Sequence, residues 1–328
     1  MRRIKRANTL SFRNVLTKKV PTIFIVSFCW LILIITFSSL SRYFLRFNNI
    51  MNLIQYCSVS GVAACGYMLV VVSGCLDLSA ATLSALASVY AARVVGITDN
   101  WLLGVLAGVA VGFLGGCVNG FLITKLKINP LITTLGTSSI FQGIASLENN
   151  AIGIAIYNEQ FKTLGQGYVF GGKIPVIVLI MFAFFALFFV ILKYTKFGRA
   201  VYSVGGNANA SYVSGINVSL VRFGIFVTCS TCAGVAGVLY AALTGSGIPS
   251  ANATLTMDSI SAIVLGGAKL SGGAGSITGT LIGVLTIATI TNGLTIVGVS
   301  TFYQMIAKGA ILLIAVLIDV LKGEGRYE

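Results

Sequence analysis

The chain has 328 residues, of which 56% are hydrophobic and only 9% charged. A soluble domain carries about 25% charged residues, so these proportions exclude a water-facing surface over most of the chain and suit one that faces lipid. The formal net charge of +14 does not point to nucleic acid, because seven of the 22 basic residues fall in the first 19, most others end apolar stretches, and no basic groove is interleaved with aromatics. That is the positive-inside pattern of a membrane protein.

Residues 1–19 form a basic cytoplasmic N-terminal segment containing Arg2, Arg3, Lys5, Arg6, Arg13, Lys18 and Lys19. The apolar run 20–40 exceeds the roughly 7–15 residues of a signal-peptide core, and Arg42 and Tyr43 follow it rather than a small-residue cleavage site. It reads as the first transmembrane helix. Further apolar stretches lie at 52–73, 79–98, 101–124, 130–147, 174–194, 218–243, 256–270, 276–297 and 302–321. The expected fold is an all-α polytopic transmembrane bundle of about ten spans (eight to ten), with both termini cytoplasmic. Stretch 256–270 is short enough to be re-entrant or broken. No connection is long enough for a separate domain, so 20–321 is one transmembrane domain and 322–328 a cytoplasmic tail.

Within these stretches a few residues stand out. Asp77, between the second and third spans, is either a helix N-cap or a polar site at a helix break, and Asp258 invites the same two readings. The fourth span carries Gly104, Gly108, Gly112, Gly116 and Gly120, an i, i+4 ridge that lets another backbone approach closely. Asn129-Pro130 is a helix start, and the helix after it bears Thr133, Thr134, Thr137, Ser138, Ser139 and Gln142. Such a helix either lines a wet path or turns its hydroxyls back onto its own carbonyls. Arg93 lies near a span end and can snorkel; Lys308 lies deeper and needs a polar partner. Two hydrophilic connections, 148–173 outside and 195–217 inside, break the apolar pattern. In the second, Gly205-Gly206 is expected to make a turn, Asn207 to cap a short helix over 208–213, and Ser214-Gly215 to end it. A short helix outside the bilayer between two spans is a docking element or a structured loop.

A weak repeat relates Gly74-Cys-Leu-Asp77-Leu-Ser79 to Gly266-Gly-Ala-Lys269-Leu-Ser271. If it is real, Asp77 and Lys269 are equivalent and are expected to lie close enough to share charge. All seven cysteines sit in or beside apolar stretches, and Cys229 and Cys232 read as small packing residues, not metal ligands, since the chain has no histidine. The absence of histidine and of any Walker-type glycine loop argues against an enzyme. No cofactor and no metal are expected.

Five segments in order resemble the permease subunits of bacterial ribose-type (simple-sugar) ABC importers. Ser73 to Ser79 is similar to that family's SGGIDLS, and Gly116 to Gly120 to its GxxNG. Asn129 to Gly136 is similar to its PxFIxTLG helix. Phe197-Gly198-Arg199, Gly205-Gly206-Asn207 and Ser214-Gly215-Ile216 resemble its cytoplasmic FGR…GGN…SGI segment, and Ala262 to Gly283 its long glycine-rich run. The resemblance implies an inner-membrane permease for a sugar or related polyhydroxylated solute. It implies three protein partners: a cytosolic ATP-binding subunit, a periplasmic or lipid-anchored solute-binding protein, and a second permease chain, identical or paralogous. Membrane lipid surrounds the assembly, and nucleic acid has no part. Gly205, Gly206, Asn207, Ser214 and Gly215 would couple to the ATPase, with Asp77, Asn119, Thr133, Thr134 and Gln142 as candidates for the translocation path. The chain departs from the pattern at Cys75-Leu76, at Ala208-Asn209-Ala210, at Thr256 and at Lys269. An ion-coupled carrier using Asp77, or a membrane scaffold, are the competing readings.

Overall fold

The computed structural model describes residues 22–324, side chains being described for 23–317. The basic segment 1–19 and the end of the tail lie outside the described residues. Thirteen helices are present among those described. They are α1 (Thr22–Leu40), α2 (Phe47–Val72), α3 (Ala80–Thr98), α4 (Trp101–Thr124) and α5 (Pro130–Leu147), then α6 (Glu159–Gln166) and α7 (Val176–Tyr194). Next come α8 (Lys196–Gly206), α9 (Ala208–Val213), α10 (Val218–Thr244), α11 (Leu255–Leu265), α12 (Ile277–Ile296) and α13 (Thr301–Glu324). Four two-residue strands form two small antiparallel ribbons: β1 (Ile154–Ala155) pairs with β4 (Ser246–Gly247), and β2 (Tyr168–Val169) with β3 (Ile174–Pro175).

Seven helices, α1, α2, α3, α4, α7, α10 and α12, are long and apolar enough to cross a membrane by length and composition. Helix α11 spans 11 residues, about 16 Å at 1.5 Å per residue, too short to cross the roughly 30 Å hydrocarbon core alone. The outward faces of α1, α4, α5 and α13 are apolar, with Phe28, Ile35, Leu114, Ile132 and Leu313 more than half exposed. In water such a surface would aggregate; in lipid it is the expected one.

Helix α2 is the centre. From Gly61 to Val72 every residue is buried, and α10, α11, α12 and α7 pack around it. The glycine ridge of α4 faces α10 in antiparallel register. A Cβ on Gly112 would lie 2.6 Å from Ser230 O and 2.8 Å from Gly234 Cα, and one on Gly116 would lie 2.7 Å from Val227 Cα. The ridge is therefore an internal seam, where small residues let backbones touch and dispersion contacts supply the association that hydrophobicity cannot supply in lipid. Cys229 and Cys232 serve the neighbouring seam: Gly66 of α2 fits against Cys229 Cα and Cys232 Cβ.

At one end of the bundle the connection 148–173 folds into more than a hydrophilic loop. Asn158 Oδ1 accepts a hydrogen bond from Phe161 N at 2.9 Å and so starts α6. Phe161 is fully buried, and Gln55 Nε2 of α2 donates to Gly165 O at 2.8 Å. Arg93 does not snorkel freely. Its guanidinium lies 2.6 Å from Glu148 Oε2, while Tyr90 Oη donates to the other oxygen at 2.7 Å. The hydrophilic text of 148–173 supplied partners for that charge, which a reading of span ends alone misses.

Candidate functional site

The opposite end of the bundle carries the segment 195–217. Three side-chain oxygens in succession start its helices. Thr195 Oγ1 accepts from Gly198 N at 3.1 Å, Asn207 Oδ1 from Ala210 N at 2.9 Å, and Asn217 Oδ1 from Leu220 N at 3.0 Å. Each satisfies a donor that a helix start leaves unpaired. Helix α9 ends as expected: Ser214 N donates to Ala210 O, and Gly215 follows at φ 83°. One expectation fails. Gly205 and Gly206 are not a turn but the last residues of α8. The chain bends at Asn207, which is extended at φ −160°.

The reason Gly205 is glycine is a close approach, not a turn. A Cβ there would collide with Val72 O and lie 2.8 Å from Gly273 N. The two atoms it would hit are hydrogen-bonded to each other, Gly273 N donating to Val72 O at 2.8 Å. Gly272 is also tight, with Gly205 O at 2.7 Å and Gly74 N at 2.8 Å from its ideal Cβ. So the end of α8, the end of α2 and the loop after α11 meet backbone to backbone in one glycine junction. Gly206, by contrast, has no atom within 4 Å of its Cβ position.

The outer surface of this segment is apolar and open. Tyr212, Val213 and Leu220 are each about two-thirds exposed or more. With Gly215 and Ile216, Tyr212 and Val213 border a broad concavity.

Beside the junction lies a buried polar centre. Asp77 is completely buried, and its Oδ1 accepts from Ser79 N at 2.8 Å and Ser79 Oγ at 2.6 Å. It is therefore not the N-cap of α3; it holds Ser79, the residue before the helix. Asn119 Nδ2 of α4 donates to the same Ser79 Oγ at 2.8 Å. The structure thus joins two sequence candidates, Asp77 and Asn119, through a serine. Among the described residues, Asp77 Oδ2 and Asn119 Oδ1 have no hydrogen-bond partner.

The expected charge sharing with Lys269 is not found. Among the described residues the ion pairs are Arg93–Glu148, Lys162–Glu159 and Lys308–Asp258. The backbone explains the miss. Helix α2 closes with Gly74 N donating to Val71 O and Cys75 N to Val70 O. Helix α11 closes with Gly267 N donating to Val264 O and Ala268 N to Ile263 O. These are the same helix stop, with Gly74 and Gly267 in the left-handed region at φ 74° and 91°. The repeat is present, but its register places Lys269 opposite Leu76, not Asp77.

The hydroxyl-rich face of α5 packs inward. Thr134 is fully buried and donates to Pro130 O at 2.9 Å; Thr133 is also buried. Gln142 Nε2 donates to Pro249 O at 3.0 Å, and Ser138 Oγ lies 3.1 Å from Thr82 Oγ1 of α3. The other face of α5, with Ile132, Leu135, Ile140 and Leu147, is apolar and exposed.

A family described as branched-chain amino acid transport system / permease component matches residues 49–316. The chain belongs to this permease family. The permease is 39% identical to a ribose import permease protein of Bacillus subtilis (strain 168) over 290 residues, covering 88% of this chain and 89% of that one. It is 37% identical to a ribose import permease protein of Escherichia coli (strain K12) over 293 residues, covering 88% and 91%. It is 36% identical to an L-arabinose transport system permease protein of the same E. coli strain over 283 residues, covering 86% of each. No solved structure matches the permease. The family match encloses the glycine junction, the buried polar centre and α8 to α10; α1 lies before it.

Proposed function

We propose that the permease is the membrane-spanning subunit of an ATP-driven importer and forms the path for a sugar or a related small polyhydroxylated solute. The observation that carries this reading is the similarity, over 88% of the chain, to proteins named ribose import permeases. The apolar, exposed rim of α9 supports it, since it offers a docking surface for a cytosolic ATP-binding subunit. On this reading Gly205, Gly206, Asn207, Ser214 and Gly215 belong to the coupling element. The end of the bundle bearing it is cytoplasmic, as are both termini. The seven long helices with α5, α11 and α13 make ten membrane segments, α11 being re-entrant, in a bacterial inner membrane. A second permease chain completes the path, and a solute-binding protein outside the membrane delivers the solute.

Asp77, Asn119, Thr133 and Thr134 are buried, so they serve the path by fixing α3, α4 and α5 rather than by touching solute. Gln142 is the one of the five with partly exposed surface. The test is uptake of labelled D-ribose into vesicles holding the permease with its ATP-binding and solute-binding subunits. Vanadate should stop uptake and a protonophore should not. The reverse pattern would establish an ion-coupled carrier, and no flux of any solute would favour a scaffold.

A further inference from the structure

Away from the coupling end, a second polar cluster lies between α2, α10, α11 and α13. Lys308 Nζ sits 3.0 Å from Asp258 Oδ1 and donates to Oδ2 at 3.1 Å, both side chains being less than a fifth exposed. Thr254 Oγ1 donates to Asp258 Oδ2 at 2.9 Å. Asp258 borders a cleft of about 110 Å³ whose wall includes Tyr56, Ser60, Tyr240, Asn252 and Thr254. Tyr56 is 68% exposed. Among the described residues neither tyrosine hydroxyl is hydrogen-bonded to the protein, and Asn252 uses its Nδ2, donating to Ser84 Oγ at 3.0 Å.

Three helices place this cleft inside the bundle, not at its end. Tyr56 is nine residues into α2, Tyr240 four before the end of α10, and Lys308 seven into α13. At 1.5 Å per residue these positions lie roughly 14, 6 and 10 Å from the helix ends beside β1 and β4. The cluster is thus within the bundle, on the side opposite the coupling element. Ionisable groups at such a depth are costly and mark solute pathways.

Resting on the importer reading, we propose that this cleft is a solute-contact site on the entry side of the path, built for a neutral, hydroxyl-rich molecule such as an aldose. Its two charges neutralise each other, and both Asp258 oxygens already have donors. A cation would have to displace Lys308. An amino acid zwitterion would have to break the pair or leave its own charges unmatched. What the cleft offers instead is two free phenol hydroxyls, the oxygen of Ser60, whose hydroxyl donates to Cys57 O at 3.0 Å, and an amide oxygen. These are donors and acceptors suited to hydroxyl groups.

The experiment is competitive uptake of D-ribose, L-arabinose and L-leucine by the assembled transporter, with vanadate as the control for the drive. Tyr56→Ala and Asn252→Ala are the primary variants; Tyr56→Phe, which removes only the hydroxyl, covers the case that the alanine variant does not assemble. The expected result is a fall in sugar uptake of about tenfold, the factor for one lost hydrogen bond. The ratio of ribose to arabinose uptake should shift as well, while assembly and ATP hydrolysis persist. A merely structural role would lower both sugars equally. The proposal is overturned if the ratio and rates of all three variants match the parent, or if the parent carries leucine and neither sugar. Parent uptake that persists under vanadate would overturn the ATP-driven reading instead, and the variant ratios would still decide the cleft.

Discussion

Gly205→Ala tests the glycine junction directly. Gly205 lies in a helix, where alanine is intrinsically favoured by about 1 kcal/mol. Propensity alone therefore predicts a more stable protein. Packing predicts the opposite. The new Cβ would collide with Val72 O and sit 2.8 Å from Gly273 N, and both are backbone atoms that no rotamer change can move. Either α8 lifts away or the Gly273–Val72 hydrogen bond opens. Overpacking costs about 1–3 kcal/mol and an opened buried hydrogen bond about 1–3 kcal/mol. After the propensity gain is subtracted, the net loss is roughly 0–2 kcal/mol if only one of these happens and roughly 1–5 kcal/mol if both do. Gly206→Ala is the matched control, because its Cβ meets nothing within 4 Å and only the favourable term remains. Thermal unfolding in detergent should therefore fall for Gly205→Ala and hold or rise for Gly206→Ala. Solute moved per ATP hydrolysed should drop for Gly205→Ala, because the displaced helix is the docking element of the importer reading. Equal melting temperatures for the two variants would refute the junction.

Other substitutions follow the same logic. Gly112→Ala should destabilise the α4–α10 seam by about 1–3 kcal/mol, since its contacts are Ser230 O and Gly234 Cα; Gly143→Ala, with nothing within 4 Å, should not. A melting comparison of the two in one detergent decides this. Asp77→Ala leaves Ser79 N and Oγ buried without their acceptor and should cost on the order of 1–3 kcal/mol for each group. Asp77→Asn keeps an acceptor oxygen, so its melting temperature should recover most of the loss; no recovery would mean that the charge itself is required. Arg93→Ala should cost at most about 1 kcal/mol, because the pair with Glu148 is half exposed on the arginine side. A larger loss in the same unfolding assay would show that Glu148 and Tyr90 depend on that charge.

Much of this architecture is legible in the chain because lipid imposes long apolar runs. Helices α4 and α5 begin and end where the sequence places them, since Asn100 and Asn129 cap them unambiguously. Helix α9 is equally readable from Asn207, Ser214 and Gly215. What the letters do not carry is the use of each glycine. In the fourth span spacing alone reveals a ridge, because repeats at i, i+4 share a face. Gly205 and Gly206 are adjacent and identical as text, yet one is pressed between the end of α2 and the loop after α11, and the other has nothing within 4 Å of its Cβ position among the described residues. Only long-range contacts, more than sixty residues away along the chain at Gly273, distinguish them. The polar residues of α5 are ambiguous for a related reason. A hydroxyl that faces another helix and a hydroxyl that faces a wet path look alike, and here Ser138 meets Thr82.

The repeat shows how letters and backbone come apart. Aligning Gly-x-x-x-Leu-Ser in the two segments pairs Asp77 with Lys269, and that pairing invited a shared charge. The structural constraint common to both segments is different: each must stop an apolar helix inside the protein and satisfy its last carbonyls. That demands a left-handed residue at a fixed distance from the closing donor, which glycine supplies without strain. The hydrogen bonds fix Gly74 and Gly267 as equivalent and leave the residues after them free to diverge, since loop 73–79 is shorter than loop 266–276. Asp77 therefore turns back to Ser79, while the charge pair that the bundle does hold forms elsewhere, between Asp258 and Lys308. The hydrogen-bond closure, not the matching letters, decides which residues of a repeat are equivalent.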